Sequence, residues 1–235
     1  MAPIRTYTDW NKRPSDHEET IEPYRKYFFI CEGANTETFY FQKLIDLRKT
    51  LGIHPLIDIR FIEKTEGDRD ISYPRKLIEF ADKQKELMKP DFDPDRDKMI
   101  VVFDTDIFND KVSDFDSVVA FGEQKNILAV TNPAFELFLL LHFDGSYETD
   151  ILPNAEAILK NDKVGGHQRY IYTLLHSRTK MNSKTNRRIG ELANNIDIAI
   201  EQEKKLNQDV HSALSSITCN IGSIIQMIRE DRNVG

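Results

Sequence analysis

Cysteine is nearly absent from this chain: among 235 residues only Cys31 and Cys219 occur. A disulfide framework and a thiolate zinc cluster both need sets of cysteines, so neither is supported, and both thiols read as buried. Long hydrophobic runs are missing too. No stretch approaches the roughly 20 apolar residues that span a bilayer. The start MAPIRTYTDW carries no apolar signal region, so a cytoplasmic protein with no membrane association is expected. Net positive charge is the third absence, the formal charge being -7. That argues against a whole-surface grip on nucleic acid and leaves local basic segments and bound cations to meet a phosphate backbone.

What is present is a set of short apolar runs, each followed by an acid. Tyr27 to Cys31 (YFFIC), Met99 to Phe103 (MIVVF) and Ile127 to Val130 (ILAV) read as buried strands of a parallel sheet, and Leu56 to Ile62 (LIDIRFI) alternates as a strand near a sheet edge does. Between them lie helical periods. One runs from about Thr36 to Thr50, with Asn35 or Thr36 as its cap and Gly52 and Pro55 ending it. A second covers Tyr73 to about Met88. A third follows Ser113 as cap, and AFELFLLLHF forms a fourth, with Pro133 at its first turn. The order β-α-β-α-β-α-β-α predicts an α/β, Rossmann-like, mostly parallel sheet with helices on both faces. We divide the chain into a polar arm (1–23), an α/β domain (24–145) and a helical C-terminal region (146–235). No convincing strand is expected beyond Asp150, and Gly165-Gly166-His167 reads as a hinge. The apolar Ile221, Ile224, Ile225, Met227 and Ile228 fit either core or the seam of a homo-oligomer.

Ligands of parallel sheets collect beyond the carboxyl ends of the strands. There stand Glu32, Asp104, Asp106 and Glu136, with Glu37 in the first turns of the next helix. Carboxylates gathered without balancing cations repel one another unless a divalent ion holds them, so a Mg2+ (or Mn2+) site is expected. Asp104 and Asp106 offer two oxygen ligands, and Glu32 either ligates or serves as a general base toward water. Glu37 either completes the set or favours its helix dipole. Glu136 sits among Phe135, Leu137 and Phe138, where a carboxylate needs a partner. HSRTKMNSKTNRR, residues 176–188, carries Arg178, Lys180, Lys184, Arg187 and Arg188 and no acid. It is either a phosphate-binding patch or a solvated helix connection. His142, in an apolar helix, reads as a satisfied core histidine.

CEGANTE, VVFDTD and TNPAFELFLLLHF together resemble the RloB-like family, grouped with the Toprim metal-dependent nucleic-acid enzymes. Glu32, Asp104 and Asp106 match the acids that follow two strands of Toprim domains, and Asn132, Pro133, Phe135 and Glu136 match a further family segment. The likeness covers roughly residues 26–143. It implies a Toprim-type nuclease, for DNA or RNA, that hydrolyses phosphodiesters with metal-activated water, works in phage defence and is often encoded beside an ATPase. A Toprim-like module that binds nucleic acid or a partner ATPase without cleaving is the alternative. VVFDTD is also similar to the start of haloacid-dehalogenase phosphatases. Ile107-Phe108 and the two earlier β-α units depart from that pattern.

Overall fold

The computed structural model of the chain describes residues 23–33, 35–64, 71, 73–89, 91–111, 114–165 and 168–231. The arm over 1–23 (Pro23 apart), the capping Ser113, and Gly166 and His167 of the expected hinge lie outside the described residues.

Strands β1 (Arg25–Cys31), β2 (Ile57–Phe61), β3 (Lys98–Asp104) and β4 (Ile127–Asn132) pair in parallel in the order β2-β1-β3-β4. Tyr27, Phe29 and Cys31 of β1 enter one core while Phe28 and Ile30 enter another on the opposite face. Ile100 and Val102 of β3 divide in the same way from Met99, Val101 and Phe103. Burial on both faces is why these runs are continuously apolar. β2 holds the sheet edge, and there Asp58 and Arg60 stay partly exposed.

The helices in chain order are α1 (Thr36–Asp46), α2 (Pro74–Leu87), α3 (Asp106–Lys111), α4 (Phe115–Gly122), α5 (Glu136–Leu140), α6 (Ala155–Lys160), α7 (Tyr170–Thr179), α8 (Ile196–Glu203) and α9 (Ile221–Glu230). Helices α2 and α4 cover one face through Leu77, Ile78, Phe115 and Val118. On the other face Tyr40, Phe41 and Leu44 of α1 pack with Leu137 and Phe138 of α5. Full burial of each such side chain contributes about 1.5–3 kcal/mol, so this aromatic-rich face fixes where α1 and α5 begin. Among the described residues no helix is long and apolar enough to cross a membrane.

Several expectations need correction. Asn35 occupies the N-cap of α1 but makes no side-chain capping bond, and the Thr36 hydroxyl instead donates to the Ser183 carbonyl at 3.2 Å. Pro133 does not open the fourth expected helix: the Asn132-Pro133 bond is cis, and α5 begins only at Glu136. Beyond α5 the run ends in turns, and a separate π-helical turn, Tyr147–Ile151, follows; the run is buried on every side, so it carries no helical stripe from which its short length could be read. Strands do occur beyond Asp150. β7 (Thr218–Cys219) adds to β4 antiparallel, and β5 (Lys163–Val164) pairs with β6 (Gln168–Arg169). Two-residue strands are too short to leave a periodic signal.

Apolar groups from both sides of residue 145 fill one core: Phe29 and Phe138 with Ile171, Ile196 and Ile225. Gly190, in the 3-10 turn Arg187–Asn195, lies so near α1 that a Cβ there would stand 2.3 Å from the Phe39 carbonyl oxygen. Ile221, Ile224, Ile225 and Ile228 belong to this core, whereas Met227 is 40% exposed. Cys31 and Cys219 are buried free thiols.

Candidate active site

The strand ends β1, β3 and β4 open onto one edge of the sheet. The Glu32 amide donates to the Val102 carbonyl at 3.0 Å, so β1 keeps its register one residue past its end and Glu32 comes level with the end of β3. Glu32 Oε2 accepts the Asp104 amide at 3.5 Å. Asp104, the last residue of β3, faces Thr131 of β4, whose hydroxyl donates to Asp104 Oδ1. Asp106 begins α3, where the chain turns from the sheet. Glu37 lies in the first turn of α1 over Gly33; a Cβ on Gly33 would stand 2.0 Å from Glu37 Oε2, so any larger residue there would displace the Glu37 carboxylate. Glu136 opens α5 and accepts the Ser183 hydroxyl at 3.3 Å.

All five acids line a single cleft of about 420 Å³, whose walls also carry Phe135, Arg169, Tyr172 and Lys184. Their electrostatics are set first by burial and then by one another. Burial, followed by repulsion from Asp106, pushes Glu32 up to about 8. Burial raises Glu37 to about 7, with Glu136 adding to the effect while amide hydrogen bonds from its own backbone and Gly33 oppose it. Asp104 is held well above the usual carboxylate range by burial and then by Glu37 and Glu32. Glu136 is raised by burial, against hydrogen bonding and the nearby Lys184.

The donor set is all oxygen, the chemistry that hard divalent cations such as Mg2+, Mn2+ or Ca2+ select. Among the described residues no three His, Cys, Asp or Glu side chains stand together as a closed cage. Asp104 is turned to Thr131, Glu136 to Ser183 and Glu37 to the Gly33 amide. Ligand type therefore suits such an ion, and closing around it requires these carboxylates to rotate inward from their present partners.

The basic segment is dispersed. Lys184 reaches the cleft, its ammonium 6.0 Å from the Tyr172 ring centroid. Arg178 is committed elsewhere: its Nε lies 3.0 and 2.9 Å from the two Asp150 carboxylate oxygens, and Nη2 donates to the Thr149 hydroxyl at 2.8 Å. Arg187 stacks over Phe39 at 5.8 Å, Arg188 stands 3.6 Å from Glu191, and Lys180 ends α7 in the left-handed conformation. The expected five-cation patch thus brings one residue to the acids.

Sequence reasoning missed Arg169, Tyr172 and Lys64, and named Asn132 without its role. Arg169 and Tyr172 arrive from the short β6 and the start of α7. Lys64, just past β2, donates Nζ to the Glu32 carbonyl and to the Ile71 carbonyl at 3.0 Å. Buried Asn132 ties the floor together: Oδ1 accepts the Thr105 hydroxyl at 2.7 Å, and Nδ2 donates to the Ala213 and Ser216 carbonyls at 2.7 Å each. The Asn-Pro pair was the available signal for Asn132, though not for what it binds. His142 is the satisfied core histidine expected, with Nε2 2.9 Å from the Tyr40 hydroxyl and Nδ1 2.9 Å from the Phe138 carbonyl.

No curated protein and no solved structure matches the chain significantly. A family model described as RloB-like protein, however, matches residues 27–228, a span that takes in the whole acidic cleft and the C-terminal helices behind it. The chain belongs to the RloB-like family.

Proposed function

We propose that the chain is a metal-dependent nuclease of Toprim type that hydrolyses phosphodiester bonds in anti-phage defence. The observation that carries the reading is the convergence of Glu32, Glu37, Asp104, Asp106 and Glu136 on one cleft at the carboxyl end of a parallel sheet. Defence is supported by the family resemblance alone, and so is a partner ATPase.

Asp104, Asp106, Glu37 and Glu136 would hold Mg2+ or Mn2+. A bound divalent ion supplies charge neutralisation and Lewis acidity at a phosphoryl oxygen. Glu32 suits proton transfer by position: it stands at the cleft with its carboxylate against the Asp104 amide, beside the groups that would hold the ion and its water. Lys184 and Arg169, at the same cleft, offer positive charge to the phosphate and orient it. Thr131 and Asn132 position rather than react, since they fix Asp104 and the turn after it.

Mn2+ titration by calorimetry, paired with a nuclease assay on DNA and RNA, tests this. Wild type is expected to take up the ion and cleave, and Asp104→Asn to lose cleavage together with at least about tenfold in ion affinity. A wild-type protein that takes up no Mn2+ overturns the reading. Ion uptake and nucleic-acid binding with no cleavage, alone or with a partner ATPase, would instead identify a binding module.

A further inference from the structure

One wall of the cleft is aromatic, and the hydrolytic reading leaves it unused. Tyr172, half-buried on α7, lines the cleft beside Glu136 and Arg169. One helical turn on, the exposed His176 ring lies parallel to it, with centroids 6.2 Å apart and planes 6° apart. His176 is held in that orientation by the Met181 carbonyl, 2.9 Å from Nδ1. The two rings are thus parallel and one helical turn apart, Tyr172 at the cleft and His176 outside it, and the Lys184 ammonium stands 6.0 Å from the Tyr172 ring centroid.

Resting on the reading of this cleft as a nuclease site, we propose that Tyr172 and His176 form a stacking platform for unpaired bases, so that the substrate is a single strand, DNA or RNA. An incoming base takes the place of Lys184 over the Tyr172 ring and releases the ammonium toward the adjoining phosphate, so one side chain guards the platform when empty and grips the backbone when filled. A duplex keeps its base faces stacked inside and offers the rings nothing. The charge balance points the same way. A chain of net charge -7 gains little from a duplex backbone, whereas stacking attracts bases independently of surface charge. There is also room for the strand to continue. A second cavity of about 410 Å³ shares Gly33 and Asn35 with the acidic cleft and presents Phe61 and Lys64, so a polymer lying over the carboxylates has a path on either side of them.

The test is fluorescence anisotropy on the full chain with Ca2+ in place of Mg2+, using short labelled single-stranded DNA and RNA and the duplexes of the same sequences. The single strands are expected to bind at least about tenfold more tightly than the duplexes, Tyr172→Ala to weaken them about 5- to 100-fold, and Tyr172→Phe to stay within about twofold of wild type. An unfolding midpoint of Tyr172→Ala close to that of wild type shows that its loss of affinity is not loss of fold, and Tyr172→Phe shows that the ring and not the hydroxyl is what binds. Equal binding of single strand and duplex, or a Tyr172→Ala protein that binds like wild type, overturns the platform. Asp104→Asn separates this from the nuclease reading. Tyr172-dependent binding without cleavage in any divalent ion sinks the nuclease and leaves the platform, while Asp104-dependent cleavage with no role for Tyr172 does the reverse.

Discussion

The two edges of the sheet treat their acids in opposite ways. At the amino-terminal edge each aspartate has a donor: Asp231 meets Arg25 at 2.6 Å and the Tyr27 hydroxyl at 2.8 Å, Asp91 meets Lys26 at 3.0 Å, and Asp97 accepts the amides of Lys26 and Asp93. At the carboxyl edge burial raises the acids' affinity for protons and their neighbours add to it: Asp106 acts on Glu32, Glu136 on Glu37, and Glu37 and Glu32 on Asp104. One region spends its charge on holding the fold, and the other keeps it concentrated where a ligand can enter. Negative charge left mutually opposed costs stability and persists where function needs it.

Substitutions can break this contrast. The largest effect is expected for Glu32→Gln, which removes the proposed proton acceptor: the rate of cleavage should fall about 10²- to 10⁴-fold with substrate affinity little changed, measured by single-turnover cleavage. At the other edge Asp231→Ala strands a guanidinium and a phenol, and urea unfolding should show a loss of about 3 kcal/mol with metal uptake intact. If Asp231→Ala instead abolishes metal uptake and leaves stability alone, the two edges are not separate in role.

Acid titration sharpens the comparison, because two groups pull in opposite directions. His142, buried beside Tyr40, is lowered from 6.5 to about 4, so its contribution is complete above pH 6.5 and drains away as the pH falls through 4. Glu32, raised to about 8, binds its proton more tightly folded than unfolded, so its share of stability is greatest in acid and shrinks as the pH rises from about 4.5 through 8. Glu37, Asp104 and Glu136 are raised as well and pull the same way as Glu32, so metal-free unfolding midpoints should be highest near pH 4.5 and fall toward pH 8. His142→Gln should steepen that fall between about pH 4.5 and 6.5, by on the order of 3 kcal/mol. The smallest effect is expected for Glu37→Gln. Taking one like charge from the cleft should raise metal-free stability by about 1 kcal/mol, read as a higher melting temperature, while Mn2+ affinity falls.

Much of the sheet could be read from the chain because β1, β3 and β4 are buried on both faces and their apolar runs admit no other use. Glu32, Asp104 and Asp106 were legible for the same reason, since the end of such a strand is a place. Glu37 and Glu136 followed from their distance to those ends. Where each side chain of the basic segment points was not legible, because like charges adjacent in sequence need not share a face: Arg178 turns to Asp150 and Arg187 to Phe39, and Lys184 lines the cleft. Arg169 and Tyr172 were invisible because what brings them in is a two-residue strand and the packing of α7 on α5. No local pattern encodes that.

The carboxamide of Asn132 reaches from the floor of the acidic cleft to carbonyls more than eighty residues later in the chain. Thr218 and Cys219 complete the sheet alongside it. A fragment ending near residue 145 would thus lose a strand and leave a buried amide without acceptors, and the loop bearing Asp104 and Asp106 would lose its backing. The last third of the chain acts as the wall against which the acidic cleft is braced, so shortening the protein from that end should disrupt the cleft and the fold in the same step.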